Sequence, residues 1–221
     1  FGLQYTYKLN KKNTINIGAV YTLGRTLHGD AYKYHQTGAE SNGSIYVQSQ
    51  TGDTIPNPFK MPHTFGIGLT YVYDNLTIGV DYTLQKWNTA DLAWSKFNKE
   101  SVEMNSRTKI AFGAEFVPSY ISHNYLKRIR YRMGAYYSSP YNKVSYTSPD
   151  TGTTSFQDGA REYGVSIGFG LPMFQSKSML NISGQYIKVS PKFKGLMEEN
   201  YLRINIGLTF NERWFMKWKV D

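Results

Sequence analysis

The sequence predicts an all-β fold, an antiparallel transmembrane β-barrel with lipid against its outside and a polar lumen within. Three observations predict it. Apolar side chains alternate with small or polar ones in segment after segment; the connections between those segments alternate between short and long; and 16% of the residues are aromatic although mean hydropathy is only −0.48. A period of two residues is the mark of a strand with two unlike faces. A spanning helix needs roughly 18 or more consecutive apolar residues, and the apolar runs here are only a few residues long, which excludes a helical membrane protein.

The strands are read in order. GLQYTYKL opens the chain, and TINIGAVYTLG follows with Ile15, Ile17, Ala19, Tyr21 and Leu23 on one face against Thr14, Asn16, Gly18, Val20 and Thr22. HTFGIGLTYVY sets Phe65, Ile67, Leu69, Tyr71 and Tyr73 against Thr64, Gly66, Gly68 and Thr70. LTIGVDYTLQ sets Leu76, Ile78, Val80, Tyr82 and Leu84 against Thr77, Gly79, Asp81, Thr83 and Gln85. Lys109 to Val117, Ile129 to Tyr137, Tyr163 to Leu171, Leu180 to Ile187 and Leu202 to Phe210 continue the pattern. The count is about nine strands, each near the ten-residue length that a tilted strand needs to cross a bilayer.

The connections separate a membrane barrel from a soluble sandwich, which alternates too. NKKN, Asp74-Asn75 and PMFQSKS are tight, whereas Arg25 to His63, Thr89 to Arg107, Ser138 to Glu162 and Ser190 to Asn200 are mostly long and polar. Pro118 to Arg128 belongs with the tight set but is as long as the shortest loop. Short turns at one end and long loops at the other are the asymmetry of outer-membrane barrels, whose short turns face the periplasm. The small and polar faces also hold mid-strand charges, Asp81, Glu115, Arg130 and Arg203, while Tyr and Phe gather near strand ends where an interface belt places them. On this topology the first strand runs inward and the carboxyl terminus is periplasmic. Single-chain bacterial barrels have an even strand number, so at least one further strand is expected before Phe1, and residues 1–221 are expected to be the carboxyl-terminal part of a single barrel domain.

The absence of cysteine removes disulfides, thiolate metal sites and cysteine nucleophiles together. A net charge of +9 raises nucleic acid as a partner, but the cations are spread over turns, loops and the carboxyl terminus, as a solvated surface spreads them. Anionic lipopolysaccharide around an outer-membrane barrel fits as a partner for these cations equally well.

Successive hairpins of one style resemble the carboxyl-terminal portion of FadL/TodX-type outer-membrane transport proteins. PHTFGIGLTYVYDNLTIGVDYTLQKWN resembles that family's hairpin of a Pro-led strand, an Asp-Asn turn and a strand ending in Trp. RTKIAFGAEFVPS with RIRYRMGAYYSSPY, and REYGVSIGFGLP with MLNISGQYIKV, look like its next two hairpins, and YLRINIGLTFNERWFMKWKV is similar to members from Bacteroidetes. The resemblance implies a fourteen-stranded barrel with an amino-terminal plug, neither the plug nor the first strands lying within this sequence. It also implies inward passage of long-chain fatty acids or other hydrophobic compounds. A branch of the same broad family serves protein secretion instead.

No catalytic constellation, nucleophile motif or metal-ligand spacing is present. His28, His35, His63 and His123 are scattered over loops and turns, and GIG and GFG lie inside strands with no helix to follow. The expectation is a non-enzymatic protein without cofactor or metal. Arg130 and Arg132 stand two residues apart on one non-apolar face, suited to forked recognition of a carboxylate such as a fatty-acid head group. The plainer reading pairs them with Glu115 on the neighbouring strand. Lys109 and Arg203 are further candidates by the same argument. For an apolar tail, Phe59, Met61, Leu92, Trp94 and Phe97 in the long loops form a capture groove, or simply pack over the barrel mouth. The reading that results is passive uptake of hydrophobic compounds. Its rivals are a barrel scaffold in an outer-membrane secretion or assembly complex, with envelope proteins as partners, and an aqueous porin.

Overall fold

The computed structural model describes residues 1–41, 44–56, 59–89, 103–147, 153–173, 178–191 and 197–210. In chain order its strands are β1 (Gly2–Lys8), β2 (Asn13–Thr22), β3 (Thr26–Leu27), β4 (Asp30–Ser41), β5 (Ser44–Pro56), β6 (Phe59–Lys60), β7 (Thr64–Tyr73), β8 (Leu76–Gln85), β9 (Arg107–Phe116), β10 (Arg130–Ser138), β11 (Lys143–Thr147), β12 (Thr154–Asp158), β13 (Ala160–Pro172), β14 (Met179–Pro191) and β15 (Glu199–Thr209). Nine of them make one antiparallel sheet in the order β1-β2-β7-β8-β9-β10-β13-β14-β15. These are the segments whose alternation predicts strands, paired with their sequence neighbours throughout. The sheet is open: β1 and β15 are its two edges and do not pair with each other.

The exposure of the sheet is inverted relative to a soluble protein. Along β7, Phe65, Ile67, Leu69, Tyr71 and Tyr73 are exposed, while the intervening Thr64, Gly66, Gly68, Thr70 and Val72 are half-buried. Crowding on the small-residue face and divergence on the apolar face are what a sheet curved toward its polar side produces. Among the described residues the buried apolar side chains are Val117, Ile129 and Ile187, and no second sheet packs on the apolar face. A sandwich buries its apolar faces against each other, and among the described residues the nine-strand sheet has no such partner.

The tight connections are as the sequence predicts. Leu9 and Asn10 donate their backbone N–H groups to Asn13 O, and the Asn10 side chain accepts from Lys12 N and Asn13 N, closing the first turn. Asp74 takes φ 50° in the two-residue turn between β7 and β8, a left-handed conformation that Asp tolerates better than most residues. The longer connection from β9 to β10 contains one helical turn, α1 (Tyr125–Arg128), capped by the Asn124 side chain. It stays on the short-turn end because Val117 N bonds Asn75 O and Asn75 Nδ2 bonds Pro118 O, tying it to the β7–β8 turn.

The long connections differ from their reading as loops. The first holds the β3–β6 pair and a long β4–β5 hairpin with a register shift at Thr37/Gly38, and the third holds the β11–β12 hairpin. Their strands alternate among Thr, Ser, Gln, Gly and Tyr, so neither face has the aliphatic run that reveals a half-buried strand.

Candidate functional site: an apolar belt and a charged wall

Following the register across the sheet gives rows of side chains on each face. On the apolar face one row runs Leu3, Ala19, Ile67, Tyr82, Ile110, Tyr137 and Tyr163, then turns polar at Lys188 and Asn200. The row nearer the long connections is apolar only on the first strands, with Tyr21, Phe65 and Leu84, and becomes polar at Thr108. Nearer the short turns the order reverses: the row begins with polar Asn13 and is apolar from Tyr73 and Leu76 through Phe116, Tyr131 and Phe169 to Ile182 and Ile206. The apolar belt therefore slides toward the short turns from β1 to β15. A belt oblique to the hydrogen-bond rungs is what tilted strands need to present a level apolar band. Its aromatic pairs, Tyr21–Phe65, Tyr131–Phe169 and Tyr137–Tyr163, lie at both margins with ring centroids 4.9, 5.9 and 5.2 Å apart.

The opposite face carries two groups of charges. Toward the short turns, Glu115 of β9 holds both arginines of β10: Arg130 Nη1 lies 3.2 Å from one carboxylate oxygen and Arg132 Nε 2.6 Å from the other. Arg132 Nη1 then reaches across β13 to Asn181 Oδ1 of β14 at 2.8 Å. The crossing is possible because Gly168 and Gly170 stand opposite Arg132 and Arg130 in the register, so no side chain blocks the guanidinium. Toward the long connections, the Tyr136 hydroxyl donates to Glu162 Oε1 at 2.5 Å, with Lys109 Nζ 4.5 Å from the Tyr136 ring centroid. Arg107 Nε donates to Ser138 Oγ at 2.7 Å, and Arg107 Nη2 sits 3.8 Å from Glu162. The Tyr136 ring lies over Gly164, where a Cβ would collide with it.

At the entry to the first long connection, His63 Nδ1 accepts from Gly24 N at 3.2 Å, which leaves the Tyr21 hydroxyl, 2.8 Å away, as a second donor to it. This fixes the strand ends from which the β3–β6 and β4–β5 pairs emerge.

The structure thus brings Arg130 and Arg132 together on one carboxylate and places Lys109 in the separate group at the other end of the wall. Arg203 pairs in register with Gln185 and forms no ion pair with a described residue. Met61 is 47% exposed at the long-connection end, its backbone N–H bonded to Arg25 O, and the backbone of Phe59 pairs with Leu27. Leu92, Trp94 and Phe97 lie outside the described residues. Phe59 and Met61 lie at the long-connection end of the strands and the arginine pair at the short-turn end. Tyr136, Glu162 and Asn181 went unrecognised in the sequence. Alternation alone puts Tyr136 on the polar face opposite a glycine, and that was the available signal.

No curated protein and no solved structure matches the chain. The resemblance to FadL/TodX-type transport proteins is overturned, because the family whose sequence model matches is a different one. The fatty-acid transport it implied goes with it, and the fourteen-strand count loses its basis. The physical reason is that tilted strands with a lipid face and a lumen face are written in the same alternating code whatever the barrel does, so likeness between single hairpins carries little family information. The matching model is that of BamG, it covers residues 1–221, and the chain belongs to the BamG family.

Proposed function

We propose that this chain is a membrane-embedded wall of an outer-membrane protein assembly complex, a scaffold that holds envelope protein partners instead of a conduit for small molecules. The observation that carries the reading is the BamG family match along residues 1–221, a family related to the Bam complex. The exposed apolar belt supports it, since an open expanse of Ile, Leu, Phe and Tyr is soluble only when covered by lipid or protein. In this reading the nine-strand sheet belongs to a closed barrel, with the belt in lipid, the charged wall toward the lumen and the short turns in the periplasm. The long connections, with their β4–β5 and β11–β12 hairpins, stand outside as platforms for partners. The charged wall suits a scaffold because Glu115, Arg130, Arg132 and Asn181 tie three strands together in the interior.

The test is affinity purification of the tagged full-length protein from its own outer membrane in mild detergent. Core subunits of the assembly complex in near-stoichiometric amount, and lower levels of other barrel proteins after depletion, are the expected results. A protein that purifies alone and whose depletion leaves barrel proteins at normal levels would overturn the reading.

A further inference from the structure

A pocket of about 290 Å³ opens on the polar face beside the arginine clamp. Its floor is Gly168; Arg132 of β10, Ser166 of β13, Asn181, Ser183 and Gln185 of β14 and Asn205 of β15 line it with polar groups, and Met133, Ile167, Phe169 and Ile182 line it as well. Gly168 supplies the space, since a Cβ there would press on Ser183 Cβ at 3.2 Å. Three side-chain amides and the hydroxyls of Ser166 and Ser183 around one hollow offer donors and acceptors in both senses, as the N–H and C=O groups of an extended polypeptide require. The charge is cationic. Glu115 balances one of the two clamped arginines, and Arg203, two residues from Asn205 on the same face, adds another cation in register with Gln185. The two hydrogen bonds of Arg132 use Nε and Nη1, so its Nη2 group is engaged by no described residue.

We infer that this pocket binds an acidic residue within an extended polypeptide segment. The carboxylate sits at Arg132 Nη2, with Arg203 the next cation along the same face, and the flanking peptide groups pair with Gln185 and Asn205. The inference rests on the assembly reading, where polypeptide is the material handled, and it names which part of the wall touches that material.

Binding is measured on the purified full-length protein in detergent, by saturation-transfer NMR and titration with acetyl-Gly-Asp-Gly-amide. The isosteric acetyl-Gly-Asn-Gly-amide and inorganic phosphate serve as comparison probes. The aspartyl peptide is expected to bind about tenfold more tightly than the asparaginyl one, in line with the ~1.5–3 kcal/mol of a charge-assisted hydrogen bond. Arg203→Gln and Asn205→Ala, both at a sheet edge and outside the clamp, are expected to weaken it severalfold while heat-dependent gel mobility shows the barrel still folded. Equal binding of both peptides, no binding, tighter binding of phosphate than of the peptide, or affinity unchanged in both variants would each overturn the inference. Co-purification with the assembly complex is scored separately on the same variants. Retained co-purification with failed peptide binding removes the pocket and leaves the scaffold, whereas lost co-purification in the parent protein removes the scaffold itself.

Discussion

Glu115 is the residue on which the polar wall turns, because one carboxylate serves two guanidinium groups and both oxygens are used. Their side chains are 26–38% exposed, so water screens the attraction, and an exposed pair is worth about 0–1 kcal/mol. Removing the shared partner costs more than the pair contributes, since two like charges two residues apart on one face of β10 are then left unbalanced. Glu115→Gln is therefore expected to destabilise the folded protein by about 1–2 kcal/mol in urea titrations followed by gel mobility. Arg130→Gln added to it recovers part of the loss, and strict additivity of the two changes would show that the clamp has no energetic meaning. The second test at this scale concerns space. Tyr136 lies over Gly164, where a Cβ collides with the ring, whereas Gly207 has nothing within 4 Å of its Cβ position. Gly164→Ala is expected to cost about 1–3 kcal/mol by overpacking and to be relieved by Tyr136→Ala; Gly207→Ala is expected to be nearly neutral. A ring draped over a glycine stabilises strand pairing, and equal cost at the two glycines would refute that role here.

Among the elements, the nine strands of the sheet were legible because each has its own period of two, and the glycine-rich faces made the phase plain in TFGIGLTYVY and in YGVSIGFGLP. The hairpins in the long connections were not legible, since DAYKYHQTGAES and SIYVQSQTGDTIP keep polar residues on both faces and carry the same composition as loops. The site was legible in part. Spacing put Arg130 and Arg132 on one face with Glu115, but nothing local to either strand says that Arg132 crosses a glycine to reach Asn181, because that contact depends on the pairing register. Turn chemistry supplies the prediction at this scale. Asp74 holds φ 50°, with its N–H bonded to Lys12 O and its carboxylate 3.5 Å from Lys12 Nζ. A left-handed backbone costs an ordinary residue about 1–2 kcal/mol, so Asp74→Val is expected to destabilise the β7–β8 hairpin by that amount and Asp74→Gly to be neutral or slightly stabilising in the same urea titration. An equal effect of Val and Gly would mean that the turn is held by its flanking strands alone.

For the whole molecule, the slide of the apolar belt across the rungs makes a claim that no single strand makes. Ile67 on β7 and Asn200 on β15 belong to one row of register partners, so in a sheet whose strands stood upright in a bilayer they would lie at one depth. In the proposed membrane-embedded arrangement, with the strands tilted by roughly 35–45°, the same row would climb out of the hydrocarbon as it crosses the sheet. The polar turn at Lys188 marks where it leaves. Nitroxide labels placed singly at Ile67, Ile110, Tyr163 and Asn200 in protein reconstituted into bilayers report this directly through their collision with oxygen, which concentrates in the hydrocarbon, and with a water-soluble nickel chelate. The expected result is a graded series: Ile67 and Ile110 reached by oxygen, Tyr163 at the interface, Asn200 reached by the chelate. A label at Ile206, in the row nearer the short turns, is expected to be shielded from the chelate although it sits on the same strand as Asn200. Uniform chelate access along the whole row would mean that the belt faces water and would overturn the membrane reading, whereas poor access of both reagents would mean that it is covered by protein. Uniform oxygen access, including Asn200, would mean upright strands and would leave the oblique belt without a physical cause.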